Sequence, residues 1–140
     1  MIGLVLVTHG RLASEFVLAL EHVVGPQRNV AAVCIGPEDD MEQRRAEILD
    51  AVARCDSGSG VVVLTDMFGG TPCNLAMTFL HPDRVEVVTG VNLAMLIKAA
   101  QLPEGSALTA TARLLADHGR HAIWVASELL QSHPGPAESR

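Results

Sequence analysis

The chain reads as an α/β domain with a doubly wound, mostly parallel sheet, and three observations lead there. Short, largely apolar runs recur at Ile2–Val7, Val30–Ile35, Val61–Leu64 and Val85–Val88. Runs without polar alternation suit strands buried on both faces by helices. Between them lie stretches whose apolar residues repeat at helical spacing, giving the order β-α-β-α-β-α-β-α-α-β. Right-handed crossovers then favour the strand order 2-1-3-4, with strands 1 and 3 adjacent at the topological switch point.

Taken in order, the first strand, Ile2–Val7, runs into Thr8, His9 and Gly10. Leu12, Phe16, Leu20 and Val23 predict a helix over 12–24, stopped by Gly25 and Pro26. After the strand Val30–Ile35, Asp39 or Asp40 caps a helix to about Cys55, burying Met41, Ile48, Val52 and Cys55. The loop Asp56–Gly60 leads into Val61–Leu64. Thr71 and Pro72 read as an N-cap hydroxyl with proline at the first helical position, opening a helix to about Leu80. His81-Pro82-Asp83 turns the chain into Val85–Val88, and Asn92 caps a helix over 93–101. Ser106 precedes a helix to about His118 that Gly119 ends. His121–Ala126 reads as a short final strand, and Pro134, Gly135 and Pro136 mark a disordered tail. One domain over 1–127 is therefore expected, with a tail over 128–140.

Composition narrows the function classes. A chain of 140 residues can bury a core without staples. With 49% hydrophobic but only 3% aromatic residues, that core is built from Val, Leu, Ala and Ile. A net charge of −6 with scattered arginines argues against nucleic-acid binding. Cys34, Cys55 and Cys73 lack CxxC spacing, so neither a disulfide framework nor a zinc site is indicated. The apolar N-terminus is too short for a signal peptide, and no window approaches the ~20 residues of a membrane span. A cytoplasmic domain with no direct membrane insertion is expected.

The segment VVVLTDMFGGTPCN, Val61–Asn74, organises the chemistry. It places Asp66 at a strand's carboxyl end, then a turn at Gly69 and Gly70, then a helix start whose free N–H groups and dipole favour an anion. Strand 1 ends at His9, so His9 and Asp66 should face each other across the switch-point crevice. A carboxylate that holds one imidazole nitrogen leaves the other free as a nucleophile and supports the charge that develops on attack. Gly10, Met67, Gly69, Gly70 and Thr71 would hold the electrophile's oxygens, and a phosphoryl group suits such a cradle. No GxxxxGK[ST] loop and no obvious Mg²⁺-binding carboxylates accompany it, so no cofactor or metal is expected. Each residue also has a plainer reading. Asp before glycines caps turns, Thr71 can be an N-cap only, Cys73 a packing residue and Asn92 a helix cap. Met41, Met77 and Met95 are most simply core.

The chain resembles the IIA component of the mannose family of the bacterial phosphoenolpyruvate-dependent sugar phosphotransferase system. GLVLVTHGRLA, VVVLTDMFGGTPCNLA and VVTGVNLAMLIKA carry the resemblance over most of residues 3–100. It implies that His9 is the phosphorylated histidine, Asp66 its acidic partner and Thr71 a residue near the phosphate. It also implies a homodimer that exchanges an antiparallel strand, here His121–Ala126, with HPr as donor and a IIB protein as acceptor. No IIB domain follows in this sequence, so a separate IIB protein or a regulatory target is expected to take or read the phosphate. Other readings are the phosphotransferase subunit of dihydroxyacetone kinase, a histidine phosphatase, which would want a second His and arginines, and a chelatase, which would want converging metal ligands.

Overall fold

The computed structural model describes residues 1–132. Its elements are β1 (Gly3–His9), α1 (Leu12–Val24), β2 (Val30–Ile35), α2 (Met41–Cys55), β3 (Val61–Thr65), α3 (Gly70–Met77), β4 (Val85–Thr89), α4 (Leu93–Ala100), α5 (Leu108–His121) and α6 (Ala126–Ser132). The four strands form one parallel sheet in the order β2-β1-β3-β4, as the crossover argument predicts.

Helices cover both faces, which is why β1 and β3 read as continuous apolar runs. Side chains alternate along a strand. Leu4 and Leu6 of β1 and Val62 and Leu64 of β3 pack with Ala13 and Leu20 of α1, Met95 and Leu96 of α4, and Leu115 of α5. Val5, Val7, Val61 and Val63 face the other way, onto Ile48, Ala51 and Cys55 of α2 and Ala76 of α3. Each such buried Leu or Val contributes roughly 1.5–3 kcal/mol. The burial also raises the Cys55 thiol pKa, since a thiolate would be poorly solvated there.

Gly3 lies where β1 crosses the end of α2, and a Cβ there would overlap the Cys55 carbonyl oxygen. Backbone cannot move aside as a side-chain tip can. Gly3→Ala is therefore expected to cost about 2–3 kcal/mol in urea unfolding. A loss under about 0.5 kcal/mol would mean that α2 has slack at this contact.

Several sequence expectations need correction. Gly119 does not end a helix; it sits inside α5, buried, with a would-be Cβ only 2.7 Å from Met95 Cε. Glycine serves close approach of α5 to α4 here, and its carbonyl accepts from Asn92 Nδ2. Asn92 does cap α4, its side chain accepting from the Met95 N–H at 2.9 Å. Asp40 likewise caps α2. Thr71 is not an N-cap: Gly69 holds that position, without a side-chain cap, and Thr71 and Pro72 fall in the first turn. Leu12, Val23 and Met77 are exposed, and α1 instead buries Ala13 and Leu20, with Phe16 and Val17 partly buried against the core.

The strand expected at His121–Ala126 is absent from the chain on its own. His121 closes α5, residues 123–125 are irregular, and α6 begins at Ala126. A strand exists only through ladder hydrogen bonds, and here none is formed with the β4 edge. Residues 128–132 of the expected tail belong to α6, and 133–140 lie outside the described residues.

Candidate functional site

Strand alternation decides which way His9 points. Thr8 shares the face of Leu4 and Leu6. Wholly buried, it accepts the Ala13 N–H at 2.6 Å and thereby caps α1 from the preceding strand. His9 then takes the opposite face, toward α2 and α3, at the carboxyl end of β1. Asp66 follows the last residue of the neighbouring strand, β3.

The two side chains meet as expected. His9 Nδ1 lies 2.9 Å from Asp66 Oδ2, and the His9 backbone N–H donates to the same oxygen at 3.1 Å. An ionised carboxylate only accepts, so Nδ1 carries the proton and Nε2 keeps its lone pair. The Asp66 side chain is 12% exposed against 48% for His9, so the carboxylate is sheltered and the imidazole open. Asp66 Oδ1 is buried and without a hydrogen-bond partner among the described residues. Unpaired buried oxygens of this kind are uncommon away from functional sites.

Nε2 is directed at the start of α3. A Cβ on Gly70 would stand 3.1 Å from Nε2 and 3.2 Å from Cε1, and Gly70 has φ 84. Only glycine combines that backbone with room beside the ring. Among the described residues, no acceptor engages the backbone N–H groups of Met67 to Thr71. The Met67 and Phe68 side chains are exposed at the lip. Thr71 lines a cavity with His9, Gly10, Ile35, Gly36, Pro37 and Met41. The Gly10 N–H, expected to hold an oxygen, instead donates to Ile35 O at 2.8 Å, joining the end of β1 to β2. Gly10 reaches the site as cavity wall.

Gly70→Ala is accordingly expected to slow chemistry at Nε2 by about tenfold and to cost about 1 kcal/mol of stability from the positive φ. Wild-type transfer rates in this variant would mean that Nε2 is not the reacting face.

Sequence reasoning missed the cavity's far wall, the β2–α2 loop. Asp39 Oδ2 accepts the Gly36 N–H at 2.7 Å and Arg44 Nε at 2.8 Å, and Arg44 also pairs with Glu47. The Gly36 hydrogen bond, then the one from Arg44, holds the Asp39 pKa below the ordinary carboxylate value. A glycine followed by two aspartates in GPEDD was the available signal, and it reads equally well as a helix cap.

The cavity holds neither a second histidine nor an arginine, and Arg11 is exposed beside Glu15. Among the described residues, no three His, Cys, Asp or Glu side chains gather as metal ligands would. No helix among them is long and apolar enough to cross a membrane.

Fold and site together define a parallel α/β domain with an open histidine at one strand end, its Nδ1 held by the carboxylate at the end of the neighbouring strand. The chain belongs to the family described as the PTS system fructose IIA component, which it matches over residues 3–115. Relatives agree. The mannose-specific EIIAB component of Escherichia coli K12 is 32% identical over 98 residues, covering 69% of this chain but 30% of that protein. This chain thus spans about a third of the length of those EIIAB relatives. The fructose-specific EIIA component of Bacillus subtilis is 29% identical over 136 residues, covering 94% of this chain and 90% of that protein. Among solved structures, the mannose/sorbose-specific IIA subunit of Enterococcus faecalis superposes with a TM-score of 0.78 at 33% identity, covering 89% and 93% of the two chains. The IIA protein associated with the fucose utilization operon of Streptococcus pneumoniae gives 0.80 at 25% identity, covering 91% and 95%.

Proposed function

We propose that this chain is a phosphohistidine carrier in which His9 Nε2 takes a phosphoryl group from HPr and passes it to a IIB protein. The observation that carries this reading is the bond from His9 Nδ1 to Asp66, which leaves Nε2 as the available lone pair in a family of phosphotransferase components. In the accepting step the Nε2 lone pair forms the new N–P bond. The donor's N–P bond breaks, and its electron pair returns to the donor imidazole. The Nδ1 proton stays between His9 and Asp66, whose charge supports the imidazolium. The phosphoryl oxygens are held by Thr71 and by the N–H groups of Met67, Gly69 and Gly70 at the positive end of α3, with Gly10 packed beside them.

This chemistry uses the chain's own side chains, without metal or nucleotide. The phosphatase and chelatase readings lack their second His, Arg or ligand in the cavity, and the relatives favour the sugar system over the dihydroxyacetone kinase subunit. The test is intact mass after incubation with phosphoenolpyruvate, enzyme I and HPr. One acid-labile phosphoryl adduct that a IIB protein then removes supports transport. An adduct that no IIB protein removes favours a regulatory output, and no adduct with active donors sinks the carrier.

The same reading puts the chain in the cytoplasm, where those donors act, over a domain of 1–127, and makes it a homodimer. Ile123 and Val125 are exposed beyond α5, Ile123 lines a cavity with Thr89 at the end of β4, and β4 is an edge strand; an unpaired edge invites strand addition from a second copy. Light scattering is expected to give twice the chain mass at micromolar concentration; a monomer there would remove the exchanged strand from the account.

A further inference from the structure

The cavity that holds His9 has two sides with different origins. One is the α3 turn already described. The other is Gly36 and Pro37, loop residues that present no reactive side chain to the cavity. Without restraint, such a loop would leave the acceptor nitrogen in a site of variable width.

We propose that Asp39 is a positioning residue for transfer at His9, fixing the Gly36–Pro37 wall at a set distance from the imidazole. The inference rests on His9 being the phosphoryl acceptor. Five hydrogen bonds build the restraint. Asp39 Oδ2 accepts the Gly36 N–H at 2.7 Å, and the Asp39 N–H returns to Gly36 O at 3.4 Å, closing the loop on itself. Arg44 Nε, from the rigid helix α2, donates to the same Oδ2 at 2.8 Å, with Glu47 holding the Arg44 guanidinium from its other side. Ile35 O, next to Gly36, accepts the Gly10 N–H, so the clasped loop is tied to the residue following His9.

Gly36 is part of this device. A Cβ there would meet Asp39 Oδ1 at 3.1 Å, so alanine obliges the carboxylate to give by a few tenths of an ångström beside its amide. Asp39 itself does not line the cavity. Its effect on transfer runs through the wall, since displacing a positioned surface by about 1 Å can cost up to ~10²-fold in rate.

The experiment compares phosphoryl transfer from HPr to wild type, Asp39→Ala, Asp39→Asn, Gly36→Ala and the double variant Asp39→Ala/Gly36→Ala. Thermal midpoints and amide hydrogen exchange at Gly36 and Gly10 are measured alongside. Asp39→Ala is expected to lower kcat/KM about tenfold, chiefly in kcat, with faster exchange at both amides and little change in thermal midpoint. Asp39→Asn keeps an oxygen for the Gly36 amide and should recover most of the rate. Gly36→Ala should lose less than Asp39→Ala, and the double variant should lose no more than Asp39→Ala alone, because the Cβ has no carboxylate left to displace.

Asp39→Ala at the wild-type rate with unchanged Gly10 exchange overturns the inference. So does additive loss in the double variant, or loss that tracks the thermal midpoint across the set. Should Asp39→Ala fail to fold, Gly36→Ala and Asp39→Asn carry the same comparison. If wild type takes no phosphate at all, the carrier reading fails, and Gly10 exchange in the variants still decides whether Asp39 fixes the wall.

Discussion

His9→Ala is expected to take up no phosphoryl group from HPr while keeping its fold, with an unfolding midpoint only a few degrees below wild type. The side chain is half exposed at a strand end and fills no part of either core cluster, so its removal opens no cavity. Its backbone N–H still donates to Asp66, which keeps β1 and the β3–α3 turn together. Deletion does strip Asp66 Oδ2 of the Nδ1 partner and leaves more of a sheltered carboxylate unpaired, a cost of about 1 kcal/mol. No other imidazole replaces Nε2, because the cavity contains no second histidine. Intact mass and circular dichroism on the same sample check both halves. An adduct on His9→Ala would keep a phosphate acceptor but move it elsewhere, and a collapsed fold would make His9 a structural residue.

Asp66→Asn is expected to fold, to retain phosphate acceptance, and to transfer about 10²-fold more slowly, near 2.7 kcal/mol in activation free energy. Two losses act together. The amide carries no charge, so the imidazolium formed on attack loses its stabilising partner. The amide can also present its NH₂ to Nδ1, which forces the proton onto Nε2 and removes the nucleophilic lone pair. Neutralising a carboxylate whose second oxygen is already unpaired should leave stability unchanged or slightly raised. Rapid-quench transfer rates test the first loss, and imidazole ¹⁵N shifts the second. Wild-type rates with an unshifted tautomer would make Asp66 a turn residue and nothing more.

How far the site was legible in the sequence differs residue by residue. His9 and Asp66 could be placed because each lies one threonine beyond an apolar run, and strand order alone made those ends neighbours. Thr71 lines the cavity with His9 but is not the N-cap, since two positive-φ glycines start α3 earlier than a hydroxyl cap would. Gly10 looked like a free amide, and only the β1–β2 register reveals that its N–H is taken. Gly119 looked like a stop signal because helix-ending glycine and close-packing glycine have the same letter; contact with Met95 separates them. Asp39 and Asp40 are equal cap candidates in the sequence; Asp40 takes the cap, and the bond from Gly36 to Asp39 depends on how the loop folds back.

The sequence by itself determined the four parallel strands, helices α1 to α5, the 2-1-3-4 order and the two strand ends that hold His9 and Asp66. These follow from periodicity and from crossover handedness, which are local or topological properties of the chain. Only the tertiary structure decided that Nδ1 rather than Nε2 meets Asp66, that Gly70 stands against Nε2, and that Asp39 restrains the opposite wall. Those outcomes turn on side-chain directions and register between segments far apart in sequence. Differences of an ångström between such segments leave the apolar pattern unchanged and decide which nitrogen is free to react.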